Sequence, residues 1–200
     1  MAKLHFKYGT MASGKTLNIF STIYNYEKDG YEILLLKSAE DTKNGNKIIT
    51  RFGDMEREVD ALIYKEDNIL DIVKERITDK LSCIIIDEAQ FLNKRQIDEL
   101  FFITKDLNIP VLCYGLRNNF QMDGFEGSNR LLVIAEELEE FSTLCKCKEI
   151  ARYVGRKVDG EFVDEGEVIV IDGSDEKVDY IPMCGKCYLE KVKKIRFNKM

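Results

Sequence analysis

The sequence predicts an α/β fold: a parallel sheet with helices on both faces, followed by a small cysteine-bearing unit. Three observations carry that prediction. A glycine-rich loop stands between a short strand and a helix near the N-terminus. Continuous apolar runs of strand length then alternate with amphipathic helical stretches. Four of the six cysteines fall in two close pairs in the last third of the chain.

The glycine-rich loop comes first. Gly9-Thr10-Met11-Ala12-Ser13-Gly14-Lys15-Thr16 fits G-x-x-x-x-G-K-[ST], the phosphate-binding P-loop. Its glycines let the backbone wrap a phosphate chain and turn N–H groups inward. Lys15 is placed to reach the β- and γ-phosphates, and the Thr16 hydroxyl is a Mg²⁺ ligand of the right kind. Leu4–Tyr8 alternates like a strand before the loop, and Leu17–Tyr24 reads as a helix after it. That order sets a helix N-terminus against the phosphates. The frame is P-loop NTPase-like (RecA-like), and all eight loop residues are expected to bind the nucleotide.

The remaining elements follow in order. Ile33–Leu36 is a continuous apolar run, the mark of a strand buried on both faces. Asp41–Gly53 is polar and glycine-containing and reads as a mobile loop. Ile69–Ile77 has helical spacing. Cys83–Ile86 is the strongest buried strand and delivers Asp87-Glu88 to its end. Phe91–Leu107 reads as an amphipathic helix, Ile109–Gly115 as another buried strand, and Leu131–Leu138 as a further helix. The character changes near Phe141, which divides the chain into residues 1–143 and 144–200. The second part holds the cysteine pairs, an apolar strand at Val168–Ile171 and a basic tail from Lys191 to Lys199.

Composition narrows the function. A net charge of −6 argues against a general nucleic-acid surface. No apolar run approaches the roughly 20 residues of a membrane span. The N-terminus lacks a signal-peptide pattern. These features predict a cytoplasmic protein, with its cysteines reduced or bound to metal.

The chemistry needs an acid beside the P-loop. Ile84-Ile85-Ile86-Asp87 supplies it: an apolar strand carrying a carboxylate to the sheet edge, where it helps hold Mg²⁺. Glu88 points differently and suits a general base. Acids also cap helices, but beside a P-loop the catalytic reading prevails. Cys145, Cys147, Cys184 and Cys187 form two thiolate pairs fit for a tetrahedral zinc site, whereas Cys83 and Cys113 sit in apolar strands as core residues. The loop from Gly115 to Ser128 follows a sheet strand, where ligands bind in open α/β folds. Its Phe120 and Phe125 suit either a flat base or an anchor to the core, and Tyr180 shares that ambiguity.

Taken together, Gly9–Thr16, Asp87-Glu88-Ala89-Gln90-Phe91, Gly115-Leu116 with Phe120 and Phe125, and Tyr180 before the last cysteines resemble the type II, zinc-containing thymidine kinases. The match runs from about residue 4 to about residue 190 in the family's order. It implies transfer of the ATP γ-phosphate to the 5′-hydroxyl of thymidine or deoxyuridine, with Mg²⁺ and a structural Zn²⁺. It further implies a homotetramer, dTTP as feedback inhibitor, and neither nucleic acid nor membrane as partner. By position, Glu88 resembles the catalytic base, Asp87 the magnesium-linked acid, and Gln90 part of the nucleotide site. Met11, Leu116, Phe120, Phe125 and Tyr180 match the pocket around thymine and deoxyribose, with Glu167–Tyr180 as the family's base-binding lasso loop. Where the family has Asp-Thr-Arg this chain has Asp41-Thr42-Lys43; Lys43 keeps the charge without the arginine fork, and Arg51 is a second cation on the same loop. The other reading the residues permit is a P-loop ATPase module whose zinc-bearing arm binds a protein or nucleic acid; the aromatic loop, which gives an acceptor its pocket, favours the kinase.

Overall fold

The computed structural model describes residues 1–42, 44–50, 53, 55–168 and 177–194. Six strands form a parallel sheet: β1 (Leu4–Gly9), β2 (Glu32–Ser38), β5 (Ala61–Ile63), β6 (Leu81–Asp87), β7 (Val111–Gly115) and β8 (Glu137–Phe141), in the order β5-β2-β6-β7-β1-β8. Alternate residues of the central strands face opposite sides, as the pleat requires. Leu34, Leu36, Ile84, Ile86, Val111 and Cys113 enter a core covered by α2 (Ile69–Lys74), α3 (Lys94–Asp106) and α4 (Glu126–Ile134). Ile33, Leu35, Cys83, Ile85, Leu112 and Tyr114 pack on the other face against Ile19 and Ile23 of α1 (Lys15–Glu27). Burial on both faces explains why these strands are apolar without a break.

Three segments differ from the sequence reading. Asp41–Gly53 is not simply a loop: β3 (Lys47–Ile49) pairs antiparallel with β4 (Glu56–Glu58), and Ile48 is buried beneath the sheet. The expected helix over Phe91–Leu107 begins later. A 3-10 turn spans Ala89–Phe91, Leu92 is extended, and Asn93 starts α3 through a capping box with Gln96. The expected helix over Leu131–Leu138 ends at Ile134, and β8 follows as the edge strand beside β1. There Lys3 and Lys7 of the N-terminal strand region pair with Glu137 and Glu139, so the charges line an edge that would otherwise template aggregation.

After the parallel sheet the pairing turns antiparallel. β9 (Thr143–Leu144) pairs with β10 (Ile150–Ala151). β11 (Tyr153–Val158) lies between β12 (Glu161–Val163) and β13 (Val178–Met183), and α5 (Gly185–Lys191) closes the unit. A small core of Ala151, Met183, Tyr188, Val192 and three of the paired cysteines holds it together. Val168 is a bend; the rest of the expected strand to Ile171 and the tail beyond Lys194 lie outside the described residues. Among the described residues no helix is long and apolar enough to cross a membrane.

Candidate active site

The P-loop joins β1 to α1 at the carboxyl edge of the sheet. Gly9 has no room for a side chain: a Cβ would lie 2.3 Å from the Phe141 carbonyl oxygen and 2.6 Å from Ser13 Oγ. Ala12 and Gly14 take left-handed backbone, with φ of 59° and 87°, which turns the loop around its own interior. Gly14 starts α1 without a side-chain cap, so the first N–H groups of the helix remain available to an anion. Lys15 Nζ donates into the loop, to Thr10 O at 2.8 Å and Gly9 O at 3.0 Å. Thr10 Oγ1 is buried without a partner among the described residues. A cradle of N–H groups, a lysine and an unspent hydroxyl fits a phosphate chain. Met11, Ser13 and Thr16 are partly exposed and Ala12 is exposed.

Asp87 ends β6, buried and in register with Lys37 of β2. Burial and the neighbouring Glu88 carboxylate push its pKa up to about 7, against the Glu88 N–H, Lys15 and Lys37, which favour the charged form. Glu88 is held at φ 53° and ψ 38°, a left-handed conformation that costs a non-glycine residue about 1–2 kcal/mol. It breaks the strand's alternation immediately after Asp87 and sends the second carboxylate in a new direction. Burial also raises the Glu88 pKa, with Gln90, Lys15 and Lys37 opposing.

Gln90 links this acid to the next loop. It is buried; its Nε2 donates to Glu88 Oε2 at 2.5 Å and its Oε1 accepts from the Leu116 N–H at 3.0 Å. Gly115 makes room for it, since a Cβ there would meet Gln90 Oε1 at 2.6 Å. Sequence reading placed Gln90 with the nucleotide; its side chain lies between Glu88 and the loop after β7.

Two charged residues escaped the sequence reading. Lys37 is 1% exposed, donates to Gly45 O at 3.0 Å and pairs with Asp41 at 2.8 Å. A lysine closing an apolar strand beside an acidic strand end was the signal for it. Arg156 is buried on β11, and nothing in its local spacing marked it.

The expected acceptor residues are spread over the two units. Leu116 lines a narrow cleft with Tyr8, Thr10 and Val154, between the P-loop strand and β11. Phe120 is 2% exposed, with the Arg156 guanidinium carbon 4.9 Å from its ring centre. Tyr188 Oη donates to its carbonyl at 2.5 Å. Phe125, half-buried, meets Phe91 edge to face at 5.6 Å and leads into α4. Tyr180 is half-buried on β13, opposite Arg156. Lys43 and Arg51 lie outside the described residues, as does the stretch 169–176 of the expected lasso.

The four paired cysteines converge. Cys145 and Cys147 occupy the turn between β9 and β10; Cys184 caps α5 and Cys187 lies in its first turn. Their sulfurs all lie within 4.8 Å of one another, and Cys147 Sγ is 3.5 Å from Cys184 Sγ. Tetrahedral zinc with Zn–S of about 2.3 Å spaces its sulfurs by roughly 3.8 Å, so this set fits a zinc ion. Burial opposes ionisation of Cys145, but backbone N–H groups of Cys147 and Cys184 draw its pKa down to about 6, favouring the thiolate a metal needs.

Comparisons agree with this geometry. A family model described as thymidine kinase matches residues 2–188. A thymidine kinase of Lactococcus lactis is 42% identical over 192 residues, covering 95% of this chain and 98% of its own length. One from Streptococcus pyogenes is 39% identical over 189 residues, covering 94% and 97%. Among solved structures, an ATPase domain is similar in fold, with a TM-score of 0.51 at 10% identity over 80% of this chain and 78% of that one. By the family model and by these full-length relatives, the chain belongs to the thymidine kinase family.

Proposed function

We propose that Glu88 is the general base of this ATP-dependent thymidine kinase, which transfers the γ-phosphoryl group of ATP to the 5′-hydroxyl of thymidine. The observation that carries the assignment is the seat of Glu88. It stands beside the P-loop acid Asp87, in a constrained backbone conformation, tied through Gln90 to the loop that bears the acceptor aromatics. A carboxylate raised by burial is a stronger base than an ordinary one.

Catalysis of phosphoryl transfer is mostly positioning and charge stabilisation. Gly9 to Thr16 hold the phosphates, and Lys15 turns from the loop carbonyls to the β- and γ-oxygens. Thr16 and Asp87 would hold Mg²⁺, which neutralises phosphate charge when bound. Lys43 or Arg51 contributes further positive charge from the Asp41–Gly53 segment, an assignment that rests on sequence alone. Glu88 takes the proton of the attacking hydroxyl. Leu116, Phe120, Phe125, Met11 and Tyr180 shape the nucleoside pocket, and Cys145, Cys147, Cys184 and Cys187 bind a structural zinc. Family resemblance supports a cytoplasmic homotetramer restrained by dTTP.

A coupled assay with ATP across the natural nucleosides tests the reading. Turnover with thymidine or deoxyuridine, and none with purine nucleosides, is expected. Thymidine should also raise the melting temperature where nucleic acid does not; the reverse would favour an ATPase module with a nucleic-acid-binding arm.

A further inference from the structure

The first turn of α4 packs against the backbone that follows Glu88. Gly127 is buried, and a Cβ there would lie 2.6 Å from the carbonyl oxygens of both Ala89 and Leu92. Helix and 3-10 turn therefore meet backbone to backbone, a closeness that glycine permits. Glu126 Oε1 accepts from the Lys94 N–H at 2.8 Å, and Phe125 meets Phe91 edge to face. Glu88 itself is left-handed, at φ 53°. Strain of that kind persists where the surrounding structure over-determines it.

Ser128 extends this support to the acid's side chain. A serine in the first turn of a helix commonly bonds its own neighbouring backbone. Ser128 is fully buried, and its hydroxyl instead donates to the Leu116 carbonyl at 2.5 Å. The Leu116 N–H in turn donates to Gln90 Oε1 at 3.0 Å. The peptide groups on both sides of Leu116 are thus held, which fixes its φ and ψ. With its oxygen end anchored, Gln90 directs Nε2 at Glu88 Oε2, 2.5 Å away. Three hydrogen bonds in series run from α4 to Glu88. Ser128 and Gln90 are both buried, so water is no ready substitute for a lost member. Without the first bond, the peptide after Leu116 can turn and Gln90 loses its anchor.

We infer that Ser128 is a positioning residue for phosphoryl transfer: its hydroxyl fixes Leu116, Leu116 orients Gln90, and Gln90 aims the Glu88 carboxylate at the acceptor hydroxyl. Ser128 touches neither substrate nor nucleotide and acts through Glu88. The inference rests on the general-base reading given above. Aim matters because proton transfer needs heavy atoms about 2.6–3.2 Å apart in the productive complex, and a misplacement of about 1 Å can cost roughly 10²-fold in rate.

The test is a double-mutant cycle in the full-length, zinc-replete enzyme, with ATP and thymidine, well below the melting temperature of every variant. Ser128→Ala removes the hydroxyl. Its kcat should fall about tenfold, the scale of one lost hydrogen bond expressed in the transition state. The KM for ATP should stay within about twofold, and the thymidine KM should change less than kcat. In a Glu88→Gln background the same substitution should cost less than about twofold more, because the base it positions is already gone. Ser128→Cys, close in size and a weak donor, is measured beside it and read in the same way where the alanine variant does not fold.

A kcat within about twofold of wild type would overturn the inference, whatever the loss in melting temperature, since that is the purely structural outcome. So would an equal loss of kcat with and without Glu88, which would place the effect elsewhere than at the base. The Glu88→Gln arm separates the two levels of reading. If it loses turnover and the Ser128 variants do not, only the Ser128 assignment falls. If it keeps turnover, the general-base reading falls as well.

Discussion

The hydroxyl of Tyr188 donates to the main-chain carbonyl of Phe120 across 2.5 Å. Tyr188 follows Cys187 of the cysteine cluster on α5, and Phe120 belongs to the loop after β7. One hydrogen bond therefore joins the cysteine cluster to the loop after β7, where we propose that the acceptor nucleoside binds. Both residues are buried, so neither group has water as a ready substitute.

Tyr188→Phe should cost about 1–3 kcal/mol of stability, because the carbonyl stays buried without its donor. The thymidine KM should rise several-fold with little change for ATP. Thermal melts and paired KM measurements check this. A stability loss with unchanged thymidine KM would make the bond purely structural.

Metal removal should act through the same link. We expect about one zinc per chain by elemental analysis of protein purified without added metal. Cys184→Ser should weaken or abolish metal binding and loosen α5, since structural zinc and folding are coupled. Thymidine affinity should fall before ATP affinity does. Metal-free protein that is fully folded and active would refute the zinc assignment.

Much of this was legible in the sequence. Ile33–Leu36, Cys83–Ile86 and Val111–Gly115 are apolar throughout because both faces of each strand are covered, and local sequence records that burial directly. The P-loop and Asp87-Glu88 are likewise local. Long-range effects were harder to read. Glu137-Leu138-Glu139-Glu140 suits a helix by propensity, and no glycine or proline separates it from α4. It becomes a strand because β1 offers a free edge with Lys3 and Lys7 opposite its acids. Ile48 looked like part of a polar loop until its pairing partner Arg57 was known. Arg156 went unread in the sequence; its guanidinium lies 4.9 Å from the ring centre of Phe120, on a loop far earlier in the chain, a contact no spacing announces.

Gly115→Ala probes the Gln90 bridge. The added methyl would stand 2.6 Å from Gln90 Oε1 and 3.1 Å from its backbone nitrogen. Relief requires Gln90 to leave either Leu116 or Glu88. The expected cost is about 1–3 kcal/mol in stability, the usual range for overpacking, with kcat falling more than the KM for ATP rises. Wild-type kcat in this variant would show that Gln90 does not hold the base.

Glu88→Gln should lower kcat by about 10²–10⁴-fold, the usual range for a general base. ATP affinity should stay within about twofold, because the phosphates are held by the P-loop. The amide oxygen still accepts from Gln90, so the geometry survives while the basicity does not. A variant retaining more than about half the wild-type kcat would refute the role.

The same substitution makes an opposite prediction for stability. Burial raises the pKa of both Asp87 and Glu88 above the ordinary carboxylate range, Asp87 to about 7. The folded protein therefore binds these protons more tightly than the unfolded chain does. The pair's contribution is most favourable below the unfolded carboxylate values, near pH 4, and is lost as pH rises toward the folded ones. As pH rises in the absence of Mg²⁺, these two acids are driven toward the charged form in a place that disfavours charge. Glu88→Gln removes one of these titrating groups, so the variant should melt above the wild type at pH 7.5, by an amount that shrinks toward pH 5. Melting curves of both proteins across that range decide it. A variant no more stable than the wild type at pH 7.5 would mean that Lys15 and Lys37 already offset the burial of this acid.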